Sequence, residues 1–163
     1  MLLQGRREEA LPLLLKGFGA FRATGTGVRI PSYLGLLGEA YTQSGRFEDA
    51  HQALDEGLAV AEKNEDRCHE AELHRLKGEL LLAESPDQIP AAEESFRRAI
   101  ETALRQGSKG WELRATLSLA RLWQRLGRRD DAHAALAAVY STYTEGFTTP
   151  DLMEAAALLE ALA

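Results

Sequence analysis

The sequence predicts an all-α fold, a solenoid of antiparallel helix pairs with about eight helices. Two observations lead there: a seven-residue phrase written three times, and a spacing between its copies of about 40 residues. The phrase reads Gly, Arg, any residue, two acids, Ala. It occurs as QGRREEA at 4–10, SGRFEDA at 44–50 and LGRRDDA at 126–132. Measured by the final alanine, Ala10 to Ala50 is 40 residues and Ala50 to Ala132 is 82. The double step calls for a degenerate copy, and AAEESFRRAI supplies it: Ala92 lies 42 residues after Ala50 and 40 before Ala132. A fixed period of this size marks stacked helical units.

The phrase has the chemistry of a helix–turn–helix corner. Gly5, Gly45 and Gly127 each follow a helical stretch, where glycine adopts the left-handed conformation that ends a helix. The paired acids Glu8–Glu9, Glu48–Asp49 and Asp130–Asp131 then fall in the first turn of the next helix, at the positive end of its dipole. The alanine lets two antiparallel helices approach closely.

Apolar periodicity places helices at about 6–23, 31–44, 47–63, 67–84, 90–106, 110–126, 129–143 and 150–162. Leu34, Leu37 and Tyr41 form the stripe before Gly45; Ala50, Leu54 and Leu58 form the one after it. Leu119, Leu122 and Trp123 precede Gly127, and Ala132, Leu136 and Val139 follow. In the middle copy SPDQIP (85–90) replaces the glycine corner, its prolines stopping one helix and starting the next. At the last helix, Thr148 or Thr149 is expected to cap, with Pro150 at the first position and Asp151 in the first turn. Phe147 is expected to pack into the end of the solenoid. The whole chain, 1–163, reads as one domain: a partial repeat over 1–27, repeats over 31–63, 67–106 and 110–143, and a capping helix over 150–162. The stub MLLQ reads as the end of a helix whose beginning is absent, so the array is expected to be cut at its N-terminus. That would expose an apolar face on helix 6–23, with Leu11, Leu14, Leu15 and Phe18, and offer a homodimer surface.

These residues resemble the tetratricopeptide repeat. Leu34, Leu37–Gly38, Tyr41, Gly45, Phe47, Ala50, Leu54 and Gly57 follow its pattern. Ala92, Phe96 and Ala99 match its second half, and Ala120, Trp123, Gly127, Ala132 and Leu136 match more loosely. The departure is the longer unit. The resemblance implies a right-handed α-α superhelix whose first helices line a concave groove, with protein segments as partners. Residues 70–163 also resemble the C-terminal repeat region of large bacterial signalling regulators. In those, a nucleotide cyclase or winged-helix domain precedes an ATPase domain. That implies the regulatory arm of a larger protein, with its own upstream domains among its partners. No phosphate-binding G-x-x-x-x-G-K-[ST] loop and no cyclase-type aspartate pair occurs in the chain.

Composition narrows the function classes. With 163 residues, 45% hydrophobic, the chain can build a core and is not disordered. A net charge of −6 argues against a nucleic-acid binder. One cysteine, Cys68, makes neither an internal disulfide nor a zinc cage, which points to a reducing, cytoplasmic setting. No run approaches a membrane span of about 20 apolar residues. No catalytic constellation, cofactor motif or metal site stands out, so the chain reads as non-enzymatic. HEAELH (69–74) misses the zinc motif by one residue: its two histidines, five apart, diverge by about 140° around a helix. GAFRATGTG (19–27) is glycine-rich, yet no strand precedes it, and it reads as a turn. Trp123 reads as a core anchor; Trp111, at a helix start, is either core or contact surface.

The charge layout is polarised. Residues 39–72 hold ten acids and three bases, while 105–129 hold seven bases and one acid. With the groove geometry that the resemblance implies, Ser32, Glu39 and Gln43 line it from the first complete repeat. Glu72, Arg75 and Glu79 come from the second, and Arg114, Arg121, Gln124 and Arg125 from the third. Arg114, Arg121 and Arg125 share one helix face and suit a carboxylate, phosphate or acidic peptide, unless Glu112 and its neighbours pair with them. The alternative function is a sensor that takes a small molecule or peptide in the same groove.

Overall fold

A computed structural model describes residues 7–25, 29–64 and 67–163. Gly5 and the stub before it lie outside these residues. Eight α-helices run through the described residues, with no strand: α1 (Arg7–Ala23), α2 (Ile30–Gln43), α3 (Phe47–Lys63), α4 (Glu70–Glu84), α5 (Ile89–Arg105), α6 (Lys109–Arg125), α7 (Arg129–Tyr140) and α8 (Pro150–Leu162). The chain is the tandem helical array that the repeated phrase predicts.

The phrase does what its chemistry suggests at both described copies. Gly45 (φ 71°) and Gly127 (φ 76°) adopt the left-handed conformation. Gly45 N–H bonds to Thr42 O and Arg46 N–H to Tyr41 O, at 3.1 and 2.9 Å. Gly127 and Arg128 bond in the same register to Gln124 O and Trp123 O, at 3.1 and 2.8 Å. Each pair satisfies carbonyls that the helix end would otherwise leave without donors. The phrase's arginine then folds back over the helix just ended. Arg46 lies 4.6 Å from the Tyr41 ring centroid and Arg128 lies 4.5 Å from that of Trp123. Each also donates to the second first-turn acid, Arg46 Nε to Asp49 at 2.7 Å and Arg128 Nε to Asp131 at 2.9 Å. One guanidinium thus ties the end of one helix to the start of the next.

The helices form two layers. α2, α4, α6 and α8 lie side by side, each touching the next, while α3, α5 and α7 back them as antiparallel partners. Close approach within the pairs needs missing side chains. A Cβ on Gly38 would lie 2.6 Å from Leu54 Cδ2, and one on Gly78 would lie 2.5 Å from Phe96 Cε1. Leu54, Leu73, Leu80, Phe96, Leu113 and Leu136 are fully buried between the layers. At about 25 cal/mol per Å² of apolar surface, residues of this size each contribute about 2 kcal/mol relative to exposure.

Four details differ from expectation. Arg67–His69 is a short 3₁₀ turn, and α4 starts only at Glu70. α7 ends at Tyr140, not 143, because Thr142 and Tyr143 N–H turn to carbonyls three residues back. Thr149 stands at the N-cap of α8 but makes no side-chain cap; its carbonyl accepts from Met153 N–H at 2.9 Å. Phe147 rests on Tyr140 at 5.8 Å between ring centroids and stays 45% exposed, so it covers α7 without entering the core.

The expected apolar face of α1 is in part already covered. Phe18 is buried, and Leu11 and Leu14 pack with it against Leu34, Leu37 and Ala53. α1 docks on α2 as the outer helix of a preceding pair would, which consumes that stripe. Leu13 and Leu15 are the large apolar residues of α1 left exposed.

Candidate functional site

The α2–α4–α6 layer carries a concave groove of about 590 Å³. Its floor is apolar because α2 and α4 meet through Gly35, Leu73 and Leu76. Leu13, Leu14 and Gly17 of α1 wall one end, and Trp111 and Arg114 of α6 the other. Leu36 stands on the α2 side, 40% exposed and off the stripe that Leu34 and Leu37 use for the core. Ser32, Glu39, Gln43, His69 and Glu72 supply the polar positions.

Beneath the groove lies a charged lattice centred on Arg75, which is itself buried. Arg75 donates from Nε and Nη2 to the two oxygens of Glu72, at 2.8 and 2.9 Å. Its Nη1 reaches Glu79 Oε1 and Ser118 Oγ, both at 3.4 Å, and Ser118 donates to Glu79 at 2.6 Å. Arg114 closes the lattice from α6 with a 3.1 Å pair to Glu72, while its guanidinium lies 5.3 Å from the Trp111 ring centroid. Burial works against the Arg75 charge, but the hydrogen bond and field of Glu72, with Glu79 and Glu39, outweigh it and hold the guanidinium above its usual pKa. The lattice joins α4 to α6 below the groove.

Glu39 is different. Among the described residues no cation lies within 4.0 Å of its carboxylate; Gln43 Nε2 donates to it at 3.3 Å. Burial pushes its carboxyl above the ordinary range; Glu72 and Glu79 add to the rise, while Arg75 and Arg114 oppose it.

The other predicted positions lie elsewhere. Arg121 pairs with Glu154 of α8 and does not line the groove. Gln124 is half-buried and Arg125 exposed, both beyond the groove's lining. Two of the three arginines of one helix face therefore separate: Arg114 turns to α4, Arg121 to α8. Their carboxylate partners are on neighbouring helices rather than at Glu112. Much of the charge polarity is spent in this way, as Arg105–Glu70 at 3.8 Å and Arg128–Glu93 at 3.2 Å also show.

Trp111 is half-buried and lies outside the core clusters. Its indole N–H donates to Cys68 O at 2.9 Å, and its ring lies 5.8 Å from that of His69 while facing the groove. Trp123 is buried, as its stripe position implies. His69 and His74 do not converge: His74 is buried inside α4 and its imidazole is lowered to about 4, chiefly by desolvation, with Arg98, Lys77 and Arg105 adding. Among the described residues no group of three or more His, Cys, Asp or Glu could hold a metal ion. No helix is long and apolar enough to cross a membrane, among the residues described. Sequence reasoning missed Tyr33, Leu36, His69 and the α1 wall. The off-stripe position of Leu36 was the signal that could have found it.

The array now has its class. Residues 32–64, the α2–α3 pair, match the profile of the tetratricopeptide repeat family. Together with the all-helical architecture, the match supports a tetratricopeptide-like domain. Comparison with curated proteins gave no match.

Proposed function

We propose that this chain is a non-catalytic protein-interaction module that holds a segment of its partner in the groove across α2, α4 and α6. The observation that carries the reading is the groove itself. It is apolar at the floor, polar at the edge, and large enough at about 590 Å³ for several side chains. The tetratricopeptide match supports a protein partner. Glu39, Gln43, Glu72 and Arg114 are its polar contact positions; Arg75 and Glu79 fix the floor from below. Arg121, Gln124 and Arg125 extend the same helical layer toward α8 and form a second contact zone for a long segment. The resemblance of 70–163 to the repeat arms of signalling regulators favours upstream domains of such a regulator as the partner.

The test compares proteins retained from a cell extract by the wild-type chain, by Leu36→Arg and by Leu104→Arg. Leu36 lies in the groove and Leu104 on the exposed side of α5, and both are substantially exposed, so neither change should disturb folding. The reading requires that Leu36→Arg loses the retained proteins and Leu104→Arg keeps them. Equal retention by both places the interaction elsewhere.

The groove's volume also supports the sensor reading, since it lies within the range of small-molecule sites, about 300–1,000 Å³. That reading predicts a ligand-dependent rise in Tm in a screen of metabolites.

A further inference from the structure

The polar groups in and beneath the groove are not equally occupied. Glu72 has both oxygens taken by Arg75 and Arg114, and Glu79 holds Arg75 and Ser118 on one oxygen. Arg75 is enclosed by its two carboxylates, and Arg114 is divided between Glu72 and the Trp111 face. Glu39 alone among these charges has no opposite charge in contact among the described residues, and it faces the groove. A half-buried carboxylate without a counter-ion loses hydration that a single long hydrogen bond from Gln43, at 3.3 Å, only partly replaces. An incoming cation would replace it. Around it lie apolar surfaces with no polar demand: Leu36, Leu73 and Leu76. The surrounding sequence adds a longer-range field, since residues 39–72 carry ten acids against three bases.

We propose, on the reading of the groove as a peptide site, that its occupant is a segment presenting a lysine or arginine beside aliphatic side chains. The cationic head group pairs with Glu39, and the aliphatic neighbours fill the floor at Leu36, Leu73 and Leu76. The stem of a lysine or arginine suits this place as well, because it can lie along the apolar wall while its head reaches the carboxylate. Arg114 is not available to a carboxylate of the partner unless Glu72 gives it up. An acidic segment would also meet Glu39 directly, at the cost of like-charge repulsion.

The test is affinity selection of random dodecapeptides displayed on phage against the purified full chain, run in parallel on Glu39→Gln and Leu36→Arg. The proposal predicts that wild type enriches lysine or arginine next to leucine, isoleucine or methionine. Synthetic peptides from that set should bind wild type about tenfold more tightly than matched glutamine peptides at low salt. Glu39→Gln should keep the aliphatic preference and lose the basic one. Groove peptides, blocked by Leu36→Arg, that show no charge preference or favour acids would overturn the inference and leave the groove reading intact. Selection of no peptide that Leu36→Arg blocks would overturn both. Glu39→Gln removes a charge that burial already disfavours, so its folding is not at risk.

Discussion

Arg75 donates to both oxygens of Glu72, at 2.8 and 2.9 Å, from a guanidinium that is buried below the groove. The side chains of the pair are only 9% and 12% exposed, so neither charge can turn to water if the other is removed. Breaking such a pair by truncating one member costs about 3–5 kcal/mol. Arg75→Met should therefore lower unfolding free energy by about 3 kcal/mol in urea titrations followed by circular dichroism. Adding Glu72→Met should recover only part of the loss, because Glu72 keeps Arg114 in the single variant and Arg114 loses that partner in the double one. A single-variant loss below about 1 kcal/mol would show that the lattice is hydrated rather than buried.

Glycine replacement separates close packing from helix propensity. Gly78→Ala drives a Cβ to 2.5 Å from the Phe96 ring, which fills the interface between α4 and α5 and cannot retreat. The expected cost is about 1–3 kcal/mol, beyond what alanine returns in helix propensity. Gly19 sits within α1 with nothing within 4 Å of a built Cβ. Gly19→Ala should raise stability, by at most about 1 kcal/mol. Thermal melts of the two variants should move in opposite directions from wild type.

His74 makes stability fall in acid. Its imidazole is lowered to about 4 by burial, against about 6.5 in an unfolded chain. Between those values the unfolded state binds the extra proton, so unfolding becomes easier as pH drops from 6.5 toward 4. The neutral-form advantage is intact above 6.5, and the total loss is at most about 3 kcal/mol. Glu39 acts in the opposite sense, since its raised carboxyl relieves a burden on protonation. The measurement is therefore the difference between wild type and His74→Leu across this range. The difference should slope through the window and be flat above it. Parallel profiles would mean that His74 is protonated in the folded chain.

Much of the fold could be read from residues alone because corners announce themselves. A left-handed glycine followed by first-turn acids is local chemistry, so Gly45 and Gly127 gave two corners at once. The arginine of the phrase was visible but had no assigned task, since stacking on Tyr41 and Trp123 depends on the folded corner. The corner at Gly107 (φ 65°) escaped the pattern because it joins α5 to α6 without the arginine and paired acids. The groove was less legible. The groove geometry implied by the tetratricopeptide resemblance selected Glu39, Gln43, Glu72 and Arg114, which line it, but could not tell a paired arginine from an open one. Arg114 and Arg121 share a face on α6, yet their carboxylates arrive from α4 and α8. Those pairings depend on which helices become neighbours, and no local spacing records that.

The central claim is that the α2–α4–α6 groove holds a partner segment. Hydrogen–deuterium exchange of the full chain, with and without a peptide obtained by the selection above, tests it most directly. Binding in the groove predicts slower exchange confined to 31–43, 69–76 and 111–114, the stretches that line it on those helices and their approach, with Leu13–Gly17 of α1 following. Slower exchange on α5 and α7 with the groove unchanged would contradict the claim and move the partner to the outer layer.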